Sequence, residues 1–134
     1  RQCFRALLQA SFFSDLTPEG MLWLTNQGQI TRVPPEGLIV QRGDNIDHMS
    51  VVVQGTVELI DEVGEQHLLS CGETIGELSA IIGTPQRASG RAGKDGAVLF
   101  TVPARIFDEL LRRSPSFNRG LIKELAERAA LAKA

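Results

Sequence analysis

The strongest constraint on the fold is a series of short β-forming runs separated by turn-forming residues, which begins near residue 29. Runs rich in Val, Ile, Leu and Thr recur about every 8–12 residues, with Gly, Asn or Pro at the breaks. The runs cover 30–33, 38–40, 50–53, 56–60, 67–71 and 96–103. This spacing predicts a small all-β barrel or jelly roll.

Helical patterns flank these runs on both sides. Apolar residues at helical spacing predict a short amphipathic helix over 4–13. Thr17 as N-cap and Pro18 at the first helical position predict a second helix over 18–27. After the β-forming runs, one helix is predicted over 103–113, and Ser114-Pro115 begins a final helix.

This order predicts an α+β, mainly β fold: an eight-stranded β-roll or jelly roll flanked by N-terminal and C-terminal helices. A length of 134 residues fits a single domain that buries its own core. We expect the N-terminal helices over 1–28, the roll over 29–102 and the C-terminal helices over 103–134.

Charge and cysteine content exclude several classes of protein. The chain has 14 Lys+Arg and 16 Asp+Glu, a net charge of −2, so no direct contact with nucleic acid is expected. No apolar run reaches the roughly 18 residues of a membrane span, so this segment is not expected to insert into a membrane. Cys3 and Cys71 form no Cys-x-x-Cys motif and are predicted to be small buried residues of a reduced compartment, the cytoplasm or the cytoplasmic face of a membrane protein.

The segment 75–92, "IGELSAIIGTPQRASGRA", holds one acid and two arginines in an otherwise small and apolar stretch. An ordinary ion pair between Glu77 and Arg87 is one explanation. The alternative is a ligand that needs both. A helix turn opened by Gly76 presents free backbone N–H groups to an anion, and the arginine fork matches a phosphate. Glu77 is an acceptor suited to a hydroxyl, so the set describes a sugar-phosphate site, to which Ser89 adds a donor.

This segment resembles the phosphate-binding cassette of the cyclic nucleotide-binding domain family, which includes domains of the protein kinase A regulatory subunit, the catabolite activator protein and cyclic nucleotide-gated channels. The match covers 75–89, with Ile75 where an aromatic residue is common and Gln86 where some relatives have none. The strand-turn-strand segment 42–59, "RGDNIDHMSVVVQGTVEL", and the terminal helices also fit, so the resemblance covers nearly the whole chain.

The resemblance implies a role for each cassette residue. Glu77 would accept a hydrogen bond from the ribose 2′-hydroxyl, and Arg87 would pair with the cyclic phosphate. The sugar phosphate would be capped by the backbone N–H groups of Gly76, Leu78 and Ser79.

Two residues after the arginine bear on the ligand. In the family, a threonine at the position of Ala88 favours cGMP, so alanine favours cAMP, with cGMP as the alternative. Two roles are open for Ser89: it contacts the phosphate, or it is a strand residue whose side chain makes a backbone bond. No cofactor beyond the nucleotide ligand, no metal ion and no catalytic group is expected.

The residues that would surround the base are less defined. Val51, Val53 and Leu69 are candidates for the base pocket, although any strand residue of a roll can equally face the core. The C-terminal helix, or a residue from outside the domain, covers the base in the family. Candidates for this lid are Leu121, Ile122, Leu125 and Arg128, and Phe117 is the candidate for an aromatic cap. Apolar residues at helical spacing are commonly core, and a lone arginine is commonly solvated.

The predicted function is a cyclic nucleotide-sensing regulatory domain whose partners are the nucleotide and an effector domain of a larger signalling, channel or transport protein. The terminal helices are candidates for a homo-oligomer contact. Two alternatives remain: a degenerate roll that serves protein interaction only, and the sensor half of a catabolite-activator-type transcription factor. A cupin-type metal enzyme is disfavoured because only His48 and His67 are present, without ligand-like spacing.

Overall fold

The computed structural model describes residues 5, 7, 10, 13–76 and 83–133, without side chains at 124, 125 and 127–133. Its strands are β1 (Gln29–Val33), β2 (Leu38–Val40), β3 (His48–Ile60), β4 (Gln66–Leu69), β5 (Thr74–Ile75) and β6 (Ser89–Pro103). Its helices are α1 (Pro18–Thr25), α2 (Ala104–Arg113) and α3 (Pro115–Lys133). Most of the helix predicted over 4–13 lies outside the described residues.

The strands form one antiparallel sheet with β3 and β6 at its centre. β6 pairs with β1, β2 and β3, and β3 pairs in addition with β4 and β5. The mainly β class, with helices on both sides of the strands in the sequence, is confirmed.

The predicted strand count is corrected from eight to six within the described part of the chain. The runs predicted over 50–53 and 56–60 belong to one strand, β3, whose register against β6 shifts between Val52 and Gln54 and again between Gly55 and Val57. β6 likewise begins at Ser89, well before the predicted run, because its glycine-rich first half is held by pairing with β2 and β3. Bulges of this kind bend a strand without ending it.

Gly55 lies at a close approach of the two long strands. It has a φ of 79°, and a Cβ added to it would lie 2.3 Å from the carbonyl oxygen of Gly96. Gly96 has a φ of 80°. Only a residue without a Cβ fits this approach, so the bend of β3 over β6 depends on glycine.

Two apolar clusters lie on opposite faces of the sheet. The helix-side core packs the helices against one face; among its members are Phe13, Met21, Leu24, Val51, Val53, Phe100, Phe107, Phe117 and Leu121. The rings of Phe13, Phe107 and Phe117 lie with centroids 6.1 to 6.3 Å apart. The roll-side core fills the interior of the roll and consists of Val40, Val52, Val57, Ile75, Ala92, Ala97 and Leu99.

The predicted helix starts are confirmed. The Thr17 hydroxyl accepts a hydrogen bond from the Gly20 N–H at 3.1 Å, and Pro18 opens α1. Ser114 separates α2 from α3, and its hydroxyl accepts from the Phe117 N–H at 3.2 Å. Each cap satisfies a backbone donor that the helix cannot. None of the described helices combines the length and the apolar character needed to cross a membrane.

Cys71 lies in the turn between β4 and β5 and is exposed, so the prediction that it is buried is wrong. Cys3 lies outside the described residues. Backbone bonds fix this turn: Gly72 N–H donates to Val52 O at 2.8 Å, and Val52 N–H donates to Glu73 O at 2.9 Å. Because the backbone supplies the anchoring, the cysteine side chain is left at the surface. The turn leads directly into β5 and the candidate site.

Glu36 is the only described non-glycine residue with a positive φ, 62°. A left-handed conformation costs a non-glycine residue roughly 1–2 kcal/mol, and glycine in exchange loses some entropy on folding. We therefore expect Glu36→Gly to raise the free energy of unfolding by about 0.5–1 kcal/mol. Urea unfolding measures this, with Glu62→Gly, an exposed turn residue without positive φ, as the control that is expected to lose stability.

Candidate functional site

The segment 75–89 begins at the end of β5 and ends at the start of β6. Ile75 is 3% exposed and belongs to the roll-side core, opposite Ser50 of β3. An aliphatic side chain therefore packs this position. Glu77, Leu78 and Ser79 lie outside the described residues, so their roles and the pairing of Glu77 with Arg87 stay predictions.

Gly76 lies at a close approach of two backbones. It is buried and has a φ of 80°. A Cβ at this position would lie 3.1 Å from the carbonyl oxygen of His48 and 3.4 Å from Cγ2 of Ile46. The left-handed backbone favours glycine, and the short distance to the His48 carbonyl leaves little room for a side chain. The chain therefore enters the cassette in contact with the start of β3.

Arg87 is exposed, and among the described residues it has no hydrogen-bond or ion-pair partner. Its planar guanidinium fork is always charged and matches the oxygens of a phosphate. A cation of this kind, unpaired within the described part of the chain, is available to an anionic ligand.

The turn before β3 holds the backbone on both sides of Arg87. Gly43 N–H donates to Gln86 O at 2.8 Å, and Gln86 N–H donates to Asp44 O at 2.8 Å. The Arg42 N–H donates to the Ser89 hydroxyl at 3.0 Å. Backbone groups of Gly43, Asp44 and Gln86 thus brace the cassette, a role that the sequence analysis did not predict. No side-chain pattern marks these bonds, because the backbone alone makes them.

Ala88 and Ser89 differ in their surroundings. Ala88 is 9% exposed, whereas Ser89 is in register with Ile60, which is 44% exposed on the outer face. The Ser89 hydroxyl accepts a hydrogen bond from the Arg42 N–H, as expected for a strand residue that makes a backbone bond. A hydroxyl that accepts one bond can still donate another, so the phosphate contact stays a prediction. The bond to Arg42 supports the cassette from outside the roll.

Ser89→Ala is expected to lower the free energy of unfolding by about 1 kcal/mol, since it leaves the Arg42 N–H without its acceptor. Ser89→Thr keeps the hydroxyl and is expected to retain most of the stability. Equilibrium unfolding in urea compares the three proteins. Equal losses in both variants would show that the hydroxyl does not contribute.

The base-pocket candidates fall on two sides of the sheet. Val51 and Val53 are 0% and 7% exposed and lie in the helix-side core. This agrees with the alternative that these strand residues face the core. Leu69 is half-buried and packs against the roll-side core. Of the three, only Leu69 borders the interior of the roll, in register with Val57 of β3.

The lid candidates on α3 differ in how far their side chains are exposed. Leu121 and Phe117 are 6% and 0% exposed in the helix-side core, while Ile122 is 67% exposed. The side chains of Leu125 and Arg128 lie outside the described ones. Ile122 is thus the described candidate that is free to cover a ligand, and Phe117 is committed to the ring cluster with Phe13 and Phe107.

A second polar cluster lies at the β3–β4 turn. Ligand-type atoms of Asp61, Glu65 and His67 lie within 4.8 Å of one another. One Asp61 oxygen accepts from the N–H groups of Glu65 at 2.9 Å and Val63 at 3.0 Å, and His67 Nε2 lies 3.3 Å from the other. The Glu65 N–H bond, with help from His67, holds the pKa of Asp61 below its ordinary value. These bonds close the hairpin, so stability that depends on them is lost as the pH falls through that lowered pKa.

Comparison with protein families gives one match over most of the chain. Residues 30–114 fit the model of the family described as Cyclic nucleotide-binding domain. This range contains all but the first residue of the sheet, the whole segment 75–89 and the first of the C-terminal helices.

Curated relatives and solved structures are also similar to this chain. An Uncharacterized NTE family protein of Mycobacterium tuberculosis is 24% identical over 122 residues, which are 90% of this chain and 21% of that protein. The Thermus thermophilus Catabolite Activator Protein has a TM-score of 0.81 and 26% identity, over 92% of this chain and 60% of that one. The regulatory domain of Toxoplasma gondii PKA, solved with cAMP, has a TM-score of 0.72 and 18% identity, over 81% of this chain and 42% of that one.

Proposed function

Because the chain belongs to the cyclic nucleotide-binding domain family, we propose that it senses a cyclic purine nucleotide, with cAMP preferred over cGMP. The observation that carries this proposal is Arg87: an exposed guanidinium without a partner among the described residues, on a backbone braced at Gln86 and Ser89. An exposed cation that no described residue pairs with suits an anionic ligand.

Different residues of the cassette would bind different parts of the ligand. Arg87 would hold the cyclic phosphate, and the backbone N–H groups of Gly76, Leu78 and Ser79 would cap it. Glu77 would accept from the ribose 2′-hydroxyl. The fit of Gly76 against His48 supports this arrangement, because it brings the backbone to the edge of the roll without an intervening side chain.

The preference for cAMP rests on Ala88, which offers no hydroxyl to a guanine. Ala88→Thr is expected to raise cGMP affinity about fivefold, the effect of one net hydrogen bond of about 1 kcal/mol. Ala88→Val is the matched control, since it adds the same volume without a hydroxyl. Calorimetric titration with cGMP compares them, and an equal gain in both would attribute the effect to packing alone.

Ligand binding would draw the C-terminal helices toward the cassette. A ligand shifts such an equilibrium only by binding one arrangement better than the other. The Ser114-Pro115 junction and Gly120 are the proposed hinges, and Ile122, Leu125 and Arg128 are the proposed lid. The exposure of Ile122 supports this, since a lid residue must be free to reach the base.

The domain is proposed to control an effector in a larger protein rather than to catalyse a reaction itself. The chain spans about a fifth of the length of the curated relatives it matches, 21%. Likeness to the Thermus thermophilus Catabolite Activator Protein favours a second candidate, the sensor half of a transcription factor. In either case we propose that the domain acts in the cytoplasm or at the cytoplasmic face of a membrane.

A thermal-shift titration with cAMP and cGMP tests the proposal. A ligand at 100 times its Kd adds about 2.7 kcal/mol to the folded state, so we expect Tm to rise by several degrees with cAMP. A smaller rise is expected with cGMP at equal concentration. Absence of any shift with either nucleotide would favour a degenerate roll that serves protein interaction only.

A further inference from the structure

One row of side chains crosses the outer face of the sheet, on the opposite side from the roll-side core. Leu38 of β2 is in register with Arg91 of β6, Arg91 with Glu58 of β3, and Glu58 with Leu68 of β4. Residues in direct register point to the same face of a sheet. All four are exposed, Leu38 by 51% and Leu68 by 64%. We name this set the outer row.

Further apolar side chains extend the outer row at the same end of the roll. Ile60 lies two residues after Glu58 on the same face and is 44% exposed. Val63, in the turn that follows, is 81% exposed. The solvent face of an antiparallel sheet is commonly polar, so large apolar residues gathered there indicate a contact surface.

The two charges in the middle of the outer row are not paired with each other. Arg91 donates one hydrogen bond, at 3.3 Å, to the carbonyl oxygen of Glu36. Glu58 has no partner among the described residues, although it is in register with Arg91. Both side chains therefore keep their charge available at the surface.

The order of the outer row is self-complementary: apolar, positive, negative, apolar. A two-fold axis along the strands, between β6 and β3, would place Arg91 opposite the Glu58 of a second copy and Leu38 opposite its Leu68. An isologous contact needs such a patch, because the same surface must face itself. We propose that the outer row binds a second copy of this chain, face to face.

This surface differs from the terminal helices, which the sequence suggested for self-association. The row is four strands wide, about 14 Å at a strand spacing of about 4.8 Å. Contacts of this size are weak, so we expect a dimer that dissociates on dilution.

Charge exchange tests the contact. Sedimentation equilibrium on the unaltered chain is expected to show a monomer–dimer equilibrium. Arg91→Glu and Glu58→Arg, each of which brings like charges together, are expected to weaken the dimer at least tenfold. The double variant restores opposite charges and is expected to return to within about threefold of the unaltered chain. Arg105→Glu, an exposed arginine on α2, is the control and is expected to leave the dimer unchanged.

Because Arg91 also bonds to Glu36, circular dichroism melting checks that each variant is folded. Leu68→Lys disturbs the outer row without that bond and is expected to weaken the dimer as well. A chain that is monomeric at all concentrations, or a double variant no better than the single ones, would overturn the proposal. So would loss of the dimer in Ile122→Lys alone, which would assign self-association to the terminal helices.

Discussion

Replacing Arg87 by alanine is expected to weaken cAMP binding at least about 30-fold, or about 2 kcal/mol, the scale for truncating one partner of a buried charge pair. The guanidinium is exposed and has no partner in the described part of the fold, so its removal costs the protein little. When the nucleotide is bound, the same group would face a phosphate out of water. Isothermal titration calorimetry measures the change in affinity.

Two variants separate charge from geometry at this position. Arg87→Lys keeps the positive charge but loses the two-pronged fork, so we expect an affinity between those of the alanine variant and the unaltered chain. Arg105→Ala, on α2 away from the cassette, is expected to bind as the unaltered chain does. If Arg87→Ala binds cAMP with unchanged affinity, Arg87 has no role in the site.

Gly55→Ala is expected to destabilise the fold by about 3 kcal/mol or more, among the larger effects of a single substitution. The added Cβ would lie 2.3 Å from the Gly96 carbonyl oxygen, a backbone atom that cannot turn away. Relief requires β3 and β6 to move apart at the centre of the sheet. The left-handed φ of 79° adds its own cost.

Gly64→Ala is the matched control for this substitution. Gly64 has a similar φ of 85°, but nothing lies within 4 Å of its added Cβ. It is expected to lose only about 1 kcal/mol, the cost of the backbone conformation. Urea unfolding of both variants measures the difference. Equal losses would show that the close approach to Gly96 does not limit the fold.

Helix boundaries were predictable because local chemistry sets them. Thr17 and Ser114 each precede a proline and cap their helix with a hydroxyl, as their sequence indicated. Caps and first-turn prolines act within a few residues, so the sequence alone carries the information.

Strand boundaries were less predictable because pairing between distant segments sets them. The glycine-rich run that begins β6 has little intrinsic preference for a strand, yet it pairs with β2 and β3. Successive strand residues alternate between faces, so Val51 and Val53 share one face of β3 and Val52 lies on the other. Which face meets the helices depends on tertiary packing, so the choice between pocket and core was open until the structure placed them.

Part of the site could be read from the residues, and part could not. The left-handed backbone at Gly76 could be expected because glycine adopts it readily. The exposed guanidinium of Arg87 could be expected because an arginine is a common phosphate-binding residue. The brace formed by Gly43, Asp44 and Gln86 could not, because backbone hydrogen bonds leave no mark on side-chain identity. The outward direction of Ser89 depends on its register with Ile60, which no local pattern records.

The central claim is that the chain recognises a cyclic nucleotide through its phosphate. Calorimetric titration of the unaltered chain with cAMP and with adenosine, which has the same base and ribose but no phosphate, tests it most directly. We predict saturable binding of one cAMP per chain and an adenosine affinity lower by at least about 30-fold, matching the loss expected for Arg87→Ala. Equal affinity for adenosine and cAMP, or no binding of cAMP at millimolar concentration, would contradict the claim.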